Sequence, residues 1–137
     1  MIPIGWKEWI DFPDWGVQRV RAKVDTGART TAIDVTEFEL RDAAEGQIAR
    51  FRLALRRKRL GGWLEAPVLR MTKVRNTGGI FQERPVVETT LRIGTVTRRI
   101  RLTLTDRSRM HYAVILGRSA LEGTFLIDVS RKYLLGR

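Results

Sequence analysis

Asp25, Thr26, Gly27 and Ala28 follow one another at the end of a run of alternating residues. A carboxylate held on a backbone-crowded turn is preorganised to give or take a proton. We read Asp25 as half of a catalytic pair. Thr26 can hydrogen-bond to nearby backbone. Gly27 is expected to take backbone angles closed to other residues and to admit a second chain segment at close range. The same residue types also build ordinary turns, so this tripeptide alone does not decide its role. A second motif, Ile115-Leu116-Gly117-Arg118, is an apolar strand ending in glycine. Such a strand can pack beneath the turn as a cleft floor, with the glycine admitting close backbone approach.

The elements that must position these motifs are strands. Val20, Ala22 and Val24 fall on one face of the run into Asp25, and Arg19, Arg21 and Lys23 on the other. That is the period of a half-buried strand. Residues 31–35 look extended, and the alternation returns at 37–41, 48–55 and 96–104. Residues 112–116 form an unbroken apolar run, as expected of a strand buried on both faces. A long hairpin is predicted from 66–75 and 80–93, joined through Asn76, Thr77, Gly78 and Gly79, with Pro85 favouring a sheet edge nearby. Residues 118–122 suffice for about a turn and a half of helix, and 125–129 and 133–135 read as closing strands. Trp6, Trp9 and Trp15 are expected to cover one end of the core. The pattern is nearly all β, and predicts a single barrel-like domain over residues 1–137 with one short helix near its end.

A chain of 137 residues is long enough to bury a substantial core without metal or disulfide. It contains no cysteine, which removes thiolate nucleophiles and cysteine-rich zinc sites, and its single histidine, His111, cannot form a histidine cluster. His111 receives no role. No leader-like segment opens the chain and no run approaches the length of a membrane span, so a soluble cytoplasmic protein is expected. A formal charge of +11 implies attraction to acidic peptides or other polyanions. It leaves open a non-catalytic basic β module that binds nucleic acid, ribosome or another polyanion. The basic run Arg56-Arg57-Lys58-Arg59 reads as a solvated hairpin end.

With both motifs in order, the chain resembles a retropepsin-type aspartic protease. It is most similar to a bacterial retropepsin-like family often labelled an ATP-dependent zinc protease, over nearly its full length. The resemblance is carried by Ile4-Gly5-Trp6-Lys7-Glu8-Trp9, Lys23-Val24-Asp25-Thr26-Gly27-Ala28-Arg29-Thr30, Arg84-Pro85-Val86-Val87-Glu88-Thr89, Thr103-Leu104-Thr105-Asp106-Arg107-Ser108 and Phe125-Leu126-Ile127-Asp128. The label does not fit the residues. There is no His-Glu-x-x-His helix, no cysteine ligand and no phosphate-cradling Gly-x-x-x-x-Gly-Lys loop, so neither zinc nor ATP nor any other cofactor is expected.

The resemblance implies an aspartic endopeptidase in which two carboxylates share a proton, one activating water and one polarising the scissile carbonyl. The chain has one Asp-Thr-Gly, so a homodimer joining two copies of Asp25 is expected. Asp34, Asp106 and Asp128 are weaker candidates for the second acid. The resemblance further implies that Thr26 and Gly27 support the joined turns, and that residues 66–85 form a flap whose tip is Asn76, Thr77, Gly78 and Gly79. Arg29 stands where retroviral enzymes carry an acid that pairs with the arginine of the Gly-Arg motif. Arg118 therefore needs another partner, and Arg29 beside the cleft favours an acidic protein or peptide substrate. Nucleic acid and membrane are not expected partners.

Overall fold

A computed structural model describes residues 1–54, 60–75, 78–105 and 112–136. Arg56, Arg57, Lys58, Arg59, Asn76, Thr77, Asp106 and His111, all named above, lie outside the described residues. Among the described residues eleven strands follow in chain order: β1 (Ile2–Gly5), β2 (Lys7–Phe12), β3 (Val17–Val24), β4 (Thr31–Ala43), β5 (Gly46–Ala54), β6 (Leu60–Pro67), β7 (Arg70–Arg75), β8 (Phe81–Ile93), β9 (Val96–Thr105), β10 (Val114–Leu116) and β11 (Phe125–Asp128). Short 3-10 helices occupy Pro13–Trp15 and Arg118–Ala120. No helix among the described residues is long and apolar enough to cross a membrane.

The strands close on themselves. The sheet runs β10-β3-β2-β8-β9-β4, and β4 pairs again with β10, making an all-β ring from which β5 and β6 extend on one side and β7 leans on β8. The thinnest seam is β2 against β8, registered at Asp11 opposite Arg92. Alternation explains what fills the ring. Val20, Ala22 and Val24 of β3, Phe51 and Leu53 of β5, and Ile100, Leu102 and Leu104 of β9 all turn inward and are buried. Trp15 packs against Phe12 and Phe51, with ring centroids 5.3 and 5.2 Å away. Trp6 and Trp9 depart from the expected core cover. Both are half-buried, and Trp9 stacks on Tyr133 at 5.3 Å, outside the apolar cluster.

Several boundaries also differ from the sequence reading. Residues 31–43 are one continuous strand with an irregularity between Val35 and Glu37. The expected long hairpin arm is divided: Ala66 and Pro67 pair with β5, and the arm of the central hairpin starts at Arg70. Between them the Val68 N–H donates to the Gln47 carbonyl (2.9 Å) and the Leu69 N–H to the Val86 carbonyl (2.8 Å), so the chain changes partners there. Pro85 stands opposite Met71, one residue before β8 joins β9 at Val86. Its missing N–H is thus kept out of the β8–β9 ladder. The helix expected at 118–122 is a 3-10 turn closed by one longer bond, from the Glu122 N–H to the Arg118 carbonyl (2.9 Å).

Residues 133–135 are not a strand, and a buried acid explains why. Glu8 lies on the inward face of β2 with no exposed surface. Its carboxylate accepts the N–H groups of Gly5 (2.7 Å), Leu134 (2.8 Å) and Leu135 (3.3 Å). A buried carboxylate needs such donors, and these backbone donors are satisfied by it in place of a neighbouring strand. The Tyr133 N–H donates to the Lys7 carbonyl (2.9 Å), completing the clasp between the chain's two end segments. Glu8→Ala is expected to lower stability by about 3 kcal/mol, since three donors lose a charged acceptor. An unchanged urea unfolding midpoint would contradict this role.

Candidate active site

The turn after β3 is built from both sides. β10 runs between β3 and β4, parallel to the first (Val114 opposite Ala22, Leu116 opposite Val24) and antiparallel to the second (Val114 opposite Ile33, Ile115 opposite Ala32). The ladder ends with the Asp25 N–H donating to the Leu116 carbonyl at 2.9 Å. Beyond it the two segments stay joined. The Arg118 N–H donates to the Ala28 carbonyl (2.8 Å) and the Ser119 N–H to the Arg29 carbonyl (2.9 Å). The Gly117 N–H donates to the hydroxyl of buried Thr31 at 3.1 Å.

Gly117 is the point of closest approach. A Cβ placed there would lie 2.5 Å from the Thr30 carbonyl carbon and 2.7 Å from its oxygen, so no side chain fits without moving backbone. Gly27 is different. Its φ is not positive, contrary to the expectation of special backbone angles, and the close approach of a second segment occurs at Gly117. An added Cβ on Gly27 would meet the Asp25 Oδ1 at 3.2 Å. Its function in the turn is local: the Gly27 N–H donates to Asp25 Oδ1 at 2.9 Å and fixes the carboxylate. Arg118 finds its partner in the turn itself, with Nη1 donating to the Thr26 carbonyl at 2.8 Å.

Asp25 is exposed and opens on a cleft of about 350 Å³. Ala28, Arg29, Thr30 and Ile115 line it from below, Thr103 and Thr105 from β9, and Thr72, Lys73 and Val74 from β7 of the central hairpin. Leu116 is fully buried beneath the turn. Gly78 and Gly79 lie at the exposed end of the hairpin, and Gly79 has φ +79°, a left-handed turn conformation that suits glycine. β9 carried a signal for this cleft that alternation alone obscures. Thr97, Arg99 and Arg101 on its polar face are exposed, whereas Thr103 and Thr105 on the same face are buried.

Of the other acids considered for the pair, Asp34 and Asp128 do not line this cleft, and Asp106 lies outside the described residues. Asp34 is buried in β4, its N–H donating to the Ala113 carbonyl at 2.9 Å. Asp128 is committed to a local turn. The Ser130 hydroxyl (2.6 Å) and N–H (2.9 Å) donate to it and hold its carboxyl below the ordinary carboxylate range. A second hollow of about 220 Å³ adjoins Asp25 on another side, lined by Val24, Leu121, Phe125 and Ile127 together with Thr26, Arg118 and Glu122. Among the described residues no group of three or more acids or histidines is placed to hold a metal ion. Gly117→Ala is expected to lower stability by roughly 3 kcal/mol through forced separation of the two segments, and to shift the amide resonances of Asp25 and Gly27. Native stability with unshifted resonances would contradict the packing described.

Comparison with known proteins agrees with the fold. A solved structure from Legionella pneumophila, a protein of unknown function, superposes with a TM-score of 0.82 at 23% identity, covering 98% of both chains. Curated relatives that carry the name probable alpha-L-glutamate ligase include three from different genera. They come from Parasynechococcus marenigrum (35% identity, 98% of this chain), Shewanella halifaxensis (29%, 98%) and Desulfotalea psychrophila (30%, 97%). The chain spans 29 to 30% of the length of those relatives. The family described as RimB-like, retropepsin-like aspartic endopeptidase RimB, matches residues 3–137. The chain belongs to this RimB-like family of retropepsin-like aspartic endopeptidases.

Proposed function

We infer that the protein is an aspartic endopeptidase whose working unit is a homodimer. The observation that carries this reading is the state of Asp25: one oxygen is held by the Gly27 N–H, and the carboxylate faces an open cleft in which it is the one acid among the described lining residues. The aspartic mechanism uses a second carboxyl, and each chain has a single Asp-Thr-Gly. A two-fold axis beside the turn supplies it. The apolar hollow next to Asp25, lined by Val24, Leu121, Phe125 and Ile127, supports such an axis there, and β11, which supplies two of these residues, exposes Leu126 (57%) on its other face.

Two carboxyls so close hold one proton between them, because like charges at that range resist joint ionisation. The ionised Asp25 takes a proton from water as the water oxygen attacks the scissile carbonyl carbon. The protonated Asp25 gives its proton to the carbonyl oxygen, forming a tetrahedral diol. As the C–N bond breaks, one carboxyl protonates the leaving nitrogen and the other takes the diol proton, so the pair again holds one proton. The hairpin of β7 and the first half of β8 acts as a flap, bringing Thr72 and Val74 over the substrate to exclude water. Arg29 and Lys73 in the cleft, with the +11 charge, favour an acidic peptide. The glutamate ligase name of the longer relatives supports glutamate as the acidic residue.

Incubation with poly-glutamylated and unmodified peptides tests this reading. The wild type should cleave the acidic peptide, and Asp25→Asn should lower the rate at least about a hundredfold, the scale of a lost general acid–base group. Specific activity should rise with protein concentration in step with the dimer fraction measured by sedimentation. Equal cleavage by both forms, or full activity from a sedimenting monomer, would contradict it.

A further inference from the structure

A third hollow, of about 310 Å³, shares Arg29 and Thr30 with the Asp25 cleft and is otherwise lined by Arg70, Arg99, Ile100, Arg101 and Ser119. Four of its seven lining residues are arginine and none is acidic. Alternation makes it an extension of the cleft and not a separate depression. On β9, Arg101 precedes the cleft residue Thr103 by two positions, and on β7 Arg70 precedes Thr72 by two. Residues two apart in a strand share a face and lie about 7 Å from each other. Two strands and the Arg29-Thr30 turn thus pass together from the cleft into the trough.

The arginines are not equivalent. Arg99 is already neutralised, with Nη1 2.6 Å from Asp14 and Nη2 3.3 Å from Glu88. Glu88 stands opposite Arg101 in the β8–β9 register, yet directs its carboxylate to Arg99. Arg29, Arg70 and Arg101 are exposed and have no carboxylate within ion-pair distance among the described residues. Three like charges converging on one trough repel one another unless an anion joins them. A guanidinium fork matches a carboxylate with two parallel hydrogen bonds.

We propose that the trough formed by Arg29, Arg70 and Arg101 is an anion subsite that binds the carboxylate of an acidic side chain in an extended peptide, about two residues beyond the part lying over Asp25. The inference rests on the peptidase reading for the path of the peptide and adds where, and by which residues, acidity is recognised. It places the preference at the end of the cleft, away from the bond being cut. In a two-fold dimer the trough recurs at the opposite end, so acidic residues on either flank are accommodated.

Binding separates this inference from the peptidase reading. In an Asp25→Asn background, fluorescence anisotropy at physiological salt compares a glutamate-rich peptide with its glutamine counterpart of equal length. The glutamate peptide should bind at least about tenfold more tightly, and the ratio should collapse toward one when Arg70→Gln and Arg101→Gln are combined. Arg41→Gln with Arg50→Gln removes the same charge from residues paired with Glu65 and Glu39, and should preserve the ratio. Survival of the ratio without Arg70 and Arg101, or its equal loss in the Arg41/Arg50 variant, would overturn the proposal. So would stronger displacement by an RNA oligomer of matched charge than by unlabelled glutamate peptide. If turnover by wild type and Asp25→Asn is equal while the binding ratio behaves as stated, the peptidase reading fails and the anion subsite stands.

Discussion

The backbone of Gly117 lies against the peptide of Thr30 with no room for a side chain between them, and the rest of the structure is arranged around that contact. It brings the end of β10 against the turn after β3. From there the Asp25, Arg118 and Ser119 amides each find a carbonyl on the opposite segment, and the Arg118 guanidinium reaches the Thr26 carbonyl. The same crossing closes the ring, because β10 pairs with β3 on one side and β4 on the other. Fold closure and the placement of Asp25 are therefore one event. A carboxylate held in this way is oriented before any substrate arrives, which is the condition under which acid–base chemistry gains from position.

A second constraint acts at the opposite end of the chain. Glu8 gathers three N–H groups from β1 and from residues 134 and 135, tying the chain's end segments to β2. The short parallel sheet of β1 and β11, with Ile2 opposite Phe125 and Gly5 opposite Asp128, lies beside these ties. Phe125 and Ile127 of that sheet line the apolar hollow next to Asp25. The hollow proposed to meet a second copy is consequently built from elements far apart in sequence, β3, β11 and residues 118–122, and stands beside the ties that Glu8 makes.

What was legible in the sequence followed from local pattern. β3, β5 and β9 alternate because one face of each is buried, whereas β10, read as buried on both faces, buries Val114 and Leu116 and turns the half-buried Ile115 to the Asp25 cleft. The Asp25 turn and the glycine of its floor were both readable from residue type. What was not legible depends on remote partners. Pro67 alone marks the division between β6 and β7, where the chain changes partner from β5 to β8. Glu8 looks outward-facing by type, although its position in β2 turns it inward. Gly27 and Gly117 have the same composition but different tasks, one holding a carboxylate and one admitting a peptide, and only the spatial neighbours distinguish them. The arginine trough joins residues 29, 70 and 101 across three elements, so no stretch of sequence displays it.

Under the proposed function, Asp25 is half of a site completed by the same residue of another copy. The separation of the two Asp25 carboxyl groups in a crystal structure of the assembled dimer tests it most directly. The account predicts oxygens within hydrogen-bond reach, about 3 Å, at the floor of a water-accessible cleft. A dimer that buries a different face and leaves the two carboxyls apart would contradict it.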